Sequence, residues 1–260
     1  MHGLEPQLRS KVPQVTLAFW IIKIAATTLG ETGGDAVSMT ENLGYAVSTA
    51  IFFAIFLATV AAQIRARSFH PFLYWAVIVA TTTAGTTMAD FADRSLGIGY
   101  VGGSLILLAM LLLVLGAWRV TLGDVSVDNI TTPKAEIFYW MTILFSNTLG
   151  TALGDFLADD SGLGLGYEGG ALVFTGALVL VAAAYFSTRI SRAWLFWLAF
   201  ILTRPLGATL GDLLTKPLAN GGLDLSRISS SLVIAVFMVG CIVLIAQKAG
   251  SHPQRDARGA

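Results

Sequence analysis

The chain has 260 residues, 55% of them hydrophobic and only 12% charged, with 16 basic and 16 acidic side chains and a net charge of zero. A soluble domain carries about 25% charged residues, so water is not the main solvent here, and the balanced charge offers no basic surface to nucleic acid. The single cysteine, Cys241, excludes an internal disulfide and reads as a packing residue in the last apolar stretch.

In chain order, hydropathy predicts eight helices at 15–38, 43–64, 72–93, 99–120, 136–158, 166–187, 193–215 and 227–247. Each is close to the roughly 20 residues that cross a hydrocarbon core. Residues 1–11 are polar and no cleavable signal peptide is expected. The expected organisation is a tail at 1–14, repeats one and two at 15–120, a linker at 121–135, repeats three and four at 136–248, and a tail at 249–260. The linker, which ends in Thr-Thr-Pro, suggests a two-plus-two arrangement.

The odd-numbered helices share one motif, Trp-x9-Gly-x4-Asp: Trp20, Gly30, Asp35; Trp75, Gly85, Asp90; Trp140, Gly150, Asp155; Trp197, Gly207, Asp212. A small residue, Gly34, Ala89, Gly154 or Gly211, precedes each Asp and completes a small-xxx-small pair of the kind that lets helix backbones approach in a membrane. Threonines recur nearby: Thr27, Thr28 and Thr32; Thr82, Thr83 and Thr87; Thr148 and Thr151; Thr203 and Thr209. After each Asp a short Gly-rich link opens the even-numbered helix, and the fourth link, 222–227, is the most diverged. The fold class is therefore an all-α integral membrane protein, with eight transmembrane helices as four parallel two-helix repeats in a pseudo-symmetric bundle.

Basic residues gather on one side: Arg9, Lys11, Arg65, Arg67, Arg119, Lys134, Arg189, Arg192, Lys248, Arg255 and Arg258. That side, with both termini, is expected to be cytoplasmic. Opposite loops hold Arg94, Lys216 and Arg227 among many acids. The tryptophans sit just inside the basic side and read as interfacial anchors. The Asp residues lie 15 positions further on, about 22 Å deep in a core of about 30 Å, short of water.

Buried carboxylates need compensation, and by depth only Lys23 and Arg204 are placed to supply it. Arg204 occupies the place held by Thr27, Thr82 and Asn147 in the other units, and Pro205 follows it. The remaining carboxylates must be protonated, hydrated or matched by a bound cation. Oxygen donors suit hard cations such as Mn, Mg and Ca. His2, His70 and His252 lie in the tail or loop regions, which speaks against Zn or Cu at the core. The expected ion path is Glu31, Asp35, Asp90, Asp155, Asp212, Thr28, Thr32, Thr87, Thr151, Asn147 and Arg204, with Glu31 and the four Asp residues as metal ligands.

Plainer readings exist. A glycine-capped helix end with its Asp in water would explain any one unit, and four copies could serve only to pack helices. Tyr45, Tyr100 and Tyr167 read as interface or packing residues, and Asp159-Asp160 as a solvated loop.

The segments 27–35, 147–155 and 203–212 resemble a family of bacterial multi-pass proteins described as membrane-anchored and of unknown function. The resemblance covers 15–248 and implies a bacterial inner-membrane location. A weaker likeness is to cation exchangers with Glu-x-Gly-Asp followed by a basic residue, but here no basic residue directly follows the motif Asp residues.

Three functions are carried forward. The first is a transporter of a hard divalent cation, Mn-type export, working in the lipid bilayer with the metal ion as substrate, protons as its exchange partner and no cofactor. The second is a proton-coupled transporter of a small organic solute, and the third a non-transporting scaffold or sensor. No hydrolase, zinc-protease, phosphate-loop or dinucleotide motif is present, so no enzyme is expected.

Overall fold

A computed structural model describes residues 10–127 and 130–250. His2, Arg9, His252, Arg255, Arg258 and most of both expected tails lie outside the described residues. Among the described residues eight α-helices follow one another: α1 Leu17–Asp35, α2 Gly44–Arg65, α3 Pro71–Asp90, α4 Tyr100–Leu122, α5 Pro133–Ala158, α6 Gly166–Ser187, α7 Arg192–Thr215 and α8 Arg227–Leu244.

Local chemistry sets where they begin. Thr16, His70 and Thr132 accept from the backbone N–H of Phe19, Leu73 and Ala135, and Pro71 and Pro133 fill first-turn positions that need no donor. In the first three units a glycine with φ near +70° turns the chain into the outer helix, at Gly44 (74°), Gly99 (75°) and Gly166 (68°). The diverged fourth unit uses Ser226 instead, which accepts from Ser229 N–H. Pro205 does not end α7, which runs on to Thr215. In units one and two a wider π-helical turn, Ala36–Thr40 and Phe91–Ser95, follows the motif Asp.

The motif helices form a closed inner ring, α1 on α3, α3 on α5, α5 on α7 and α7 back on α1. Each outer helix lies on the motif helix of the next unit: α2 on α3, α4 on α5, α6 on α7, and α8 on α1. The expected two-plus-two division has no counterpart in this packing, because α3 packs on α5 as α1 packs on α3.

The motif glycine makes each inner contact. A Cβ at Gly30 would meet Thr82, at Gly85 Asn147, at Gly150 Arg204 and Pro205, and at Gly207 Thr27. At every interface the glycine faces the residue three before the next unit's glycine, so all four share one register.

Among the described residues six helices are long and apolar enough to cross a membrane: α2, α3 with its π-turn, α4, α6, α7 and α8. The outer four have mean hydropathy 2.0 to 2.3, with 11 to 22% of their apolar windows buried. In α3 and α7 hydropathy falls to 1.2 and 1.4 while the buried share rises to 72 and 67%. The polar helices are thus inside and the apolar ones outside, the reverse of a water-soluble bundle. The polarity of α1 and α5 has the same cause, since Lys23, Glu31, Asp35, Glu136 and Asp155 are all buried within the bundle.

Candidate functional site

Side chains spaced four apart on the inner helices stack along the ring in four layers. Counted from the motif glycine they are Lys23, Ile78, Ile143 and Phe200; then Thr27, Thr82, Asn147 and Arg204; then Glu31, Thr86, Thr151 and Ala208; then Asp35, Asp90, Asp155 and Asp212.

Below these layers the tryptophan end is closed by rings. Each motif Trp follows another aromatic residue, and that residue touches the Trp of the next unit: Phe19 to Trp75 (5.5 Å), Tyr74 to Trp140 (5.7 Å), Tyr139 to Trp197 (6.0 Å) and Phe196 to Trp20 (5.7 Å). Tyr74 and Tyr139 share a 2.6 Å hydroxyl hydrogen bond. Trp75 donates to Gln247 Oε1 (2.7 Å) and Trp197 to the carbonyl of Val125 (2.9 Å). The expectation of interfacial anchors is therefore corrected. Trp75, Trp140 and Trp197 are fully buried and only Trp20 is partly exposed, because each indole is covered by the unit before it.

At mid-depth Arg204 crosses the axis. Its Nη2 lies 2.9 Å from Glu31 Oε2, 2.5 Å from Thr86 Oγ1 and 2.6 Å from Thr151 Oγ1, a contact to each of the other three inner helices. Thr86 also donates to Glu31 (3.3 Å). Arg204 reaches this layer because Gly150 leaves room for its stem. Lys23, expected to pair with a carboxylate, does not: its Nζ rests over the ring of Phe200, 4.1 Å from the centroid, and has no hydrogen-bond partner among the described residues.

All four motif Asp residues are between 1 and 5% exposed and gather at the far end in two pairs. Arg94 binds Asp90 (2.9 Å) and Asp155 (3.4 Å). Lys216 binds Asp35 (2.7 Å) and Asp212 (3.1 Å), and Arg227 approaches Asp35 at 3.7 Å. The expectation that Lys23 and Arg204 alone compensate the carboxylates is thus corrected, since residues assigned to outer loops fold back onto them. Burial works against the charged form of Lys216, but Asp212 and Asp35 outweigh it and hold its ammonium above the ordinary lysine range.

Glu31, Asp35 and Asp212 each offer an oxygen within 4.8 Å of the others, a spacing that suits a hard cation held by carboxylates. Asp90 and Asp155 form a separate pair on Arg94 rather than joining them. Of the expected path residues, Thr151 reaches the axis through Arg204, and Asn147 donates to Thr81 (3.0 Å). Thr28, Thr32 and Thr87 instead turn their hydroxyls to carbonyls of their own helices, and Thr32 also accepts from Ser231 (2.8 Å).

Sequence reasoning missed Arg94, Lys216 and Thr86. The signal was present: Arg94 and Lys216 each stand four residues after a motif Asp, and Thr86 shares the motif position of Glu31 and Thr151. Tyr100 joins this end too, donating to Asp159 (2.8 Å), so Asp159 is not simply a solvated loop group.

Residues 18–69, 73–123, 138–191 and 195–248 each match one family, described as Repeat of Unknown Function (DUF347). No curated protein and no solved structure matches the chain.

Proposed function

Because the chain belongs to the DUF347 repeat family, which brings no activity of its own, we propose from its own side chains that it is a multi-pass membrane transporter of a hard divalent cation. The observation that carries this reading is the convergence of Glu31, Asp35 and Asp212, buried on the inner ring, with the Lys216 ammonium already seated on two of them. That ammonium occupies the kind of place a metal cation takes, and its tether lets it leave when a divalent ion binds.

The membrane setting is supported by the outward-facing apolar helices. Leu113, Leu172, Val236 and Phe186, between 67 and 86% exposed, belong in lipid rather than water. A shared register at the four glycine contacts supports parallel repeats. The chain enters and leaves the bundle at one end, where Pro13 pairs with Ala249, and the basic residues of that end favour the cytoplasm of a bacterial inner membrane.

In this reading Glu31 belongs to two sites. It holds Arg204 across the axis, and it is the third ligand beside Asp35 and Asp212. A cation that draws Glu31 outward would release Arg204 and open the axis, while protons taken up by the carboxylates would drive the reverse step. Manganese export is the form we favour. The organic-solute alternative draws less support, because the aromatic rings that would line its pocket fill one another's faces.

Flux of Mn, Mg and Ca into proteoliposomes tests the proposal. Asp35→Asn and Asp212→Asn should each slow divalent flux at least tenfold, with a smaller effect from Asp155→Asn. Wild-type flux no greater than that of protein-free liposomes would sink the reading.

A further inference from the structure

One layer inside the Arg204 contact, the bundle holds cationic donors without hydrogen-bond partners among the described residues, Lys23 having only the Phe200 ring beside it. Lys23 and Arg204 are both fully buried, and the Phe200 ring beneath Lys23 Nζ stands one turn before Arg204 on α7. Arg204 spends Nη2 on Glu31, Thr86 and Thr151, which leaves Nε and Nη1 without hydrogen-bond partners among the described residues. Lys23 Nζ, Thr82 Oγ1 and Ser146 Oγ are likewise unpartnered and fully buried. Thr82 and Arg204 belong to one layer, Ser146 adjoins it, and Lys23 stands one turn towards the aromatic end.

With Lys23 protonated, Glu31 balances one of two cations and the segment carries one uncompensated positive charge. Loss of a proton from Lys23 would remove that charge but leave the two guanidinium nitrogens unserved, since arginine does not deprotonate in proteins. A single monovalent anion answers both needs at once. We infer that a small inorganic anion of the chloride type binds on the axis between Lys23 and Arg204, held by Lys23 Nζ, Arg204 Nε and Nη1 and the hydroxyls of Thr82 and Ser146. Asn147 Oδ1, also without a partner among the described residues, adjoins the site and would accept a hydrogen bond from one of the two cations rather than face the anion.

The inference is independent of cation transport and is tested without it. The full chain in detergent is melted in sodium chloride and in sodium gluconate of equal ionic strength, gluconate being too large for the site. A saturable rise in melting temperature with chloride is expected, lost in Lys23→Met and kept in Lys134→Met, an exposed lysine at the start of α5. Equal melting in both salts, or a chloride response that survives Lys23→Met, overturns it. If Lys23→Met does not fold, bromide-soaked crystals of the native chain decide: an anomalous peak between Lys23 and Arg204 supports the site, and ordered water without one overturns it.

Discussion

The two ends of the inner ring start from the same spacing and end differently. At the tryptophan end every unit does the same thing, with one aromatic residue against the next unit's Trp, four times around. At the carboxylate end the four equivalent Asp residues split into two pairs, because only units two and four place a cation, Arg94 or Lys216, four residues on. Neutral rings pack by shape and keep the symmetry of the backbone. Charges must find counter-charges, and two cations each bridging a pair of carboxylates, with Arg227 beside Asp35, impose a lower symmetry. Arg204 and Glu31 lie between these regimes, two substitutions that turn otherwise neutral positions into an ionic crossing.

That contrast can be broken at three strengths. Arg204→Met should have the largest effect, about 3–5 kcal/mol of lost stability, because it strands Glu31 in the bundle. The double variant Arg204→Met with Glu31→Met should recover much of it, and thermal melting of the three proteins measures the difference. At the aromatic end, Tyr74→Phe alone leaves the Tyr139 hydroxyl unserved and should cost about 1–3 kcal/mol. Adding Tyr139→Phe should cost little more, whereas an additive loss would show that the shared hydrogen bond is not what couples the two rings. Arg94→Ala should be mildest, about 1 kcal/mol or less, since the guanidinium is 32% exposed and water takes over part of its role. A loss as large as that of Arg204→Met would mean the carboxylate end is as dry as the middle.

Much of this was legible in one dimension. The motif marked the four inner helices, and the small residues marked their contacts: the side chain that Gly150 accommodates is Arg204, already singled out as the odd member of its position. Helix limits were predicted to within a few residues, apart from the π-turns after Asp35 and Asp90, which come from backbone hydrogen bonding that residue type does not announce. Partner choice across helices was not legible. Lys216 meets Asp35 across 181 positions, and no spacing rule reaches that far. The tryptophans misled for a related reason. What covers them belongs to the neighbouring unit, and a helix read alone does not show it.

The way α8 lies on α1 bears on when the charges of the ring are met. Ser231 of α8 bonds Thr32 of α1, and the cations on Glu31 and Asp35 come from Arg204, Lys216 and Arg227 of the fourth unit. Until that unit is in place the two carboxylates of α1 lack a counter-charge, and leaving them unpaired inside the bundle is costly. The ring therefore closes electrostatically only at the seam between its fourth unit and its first.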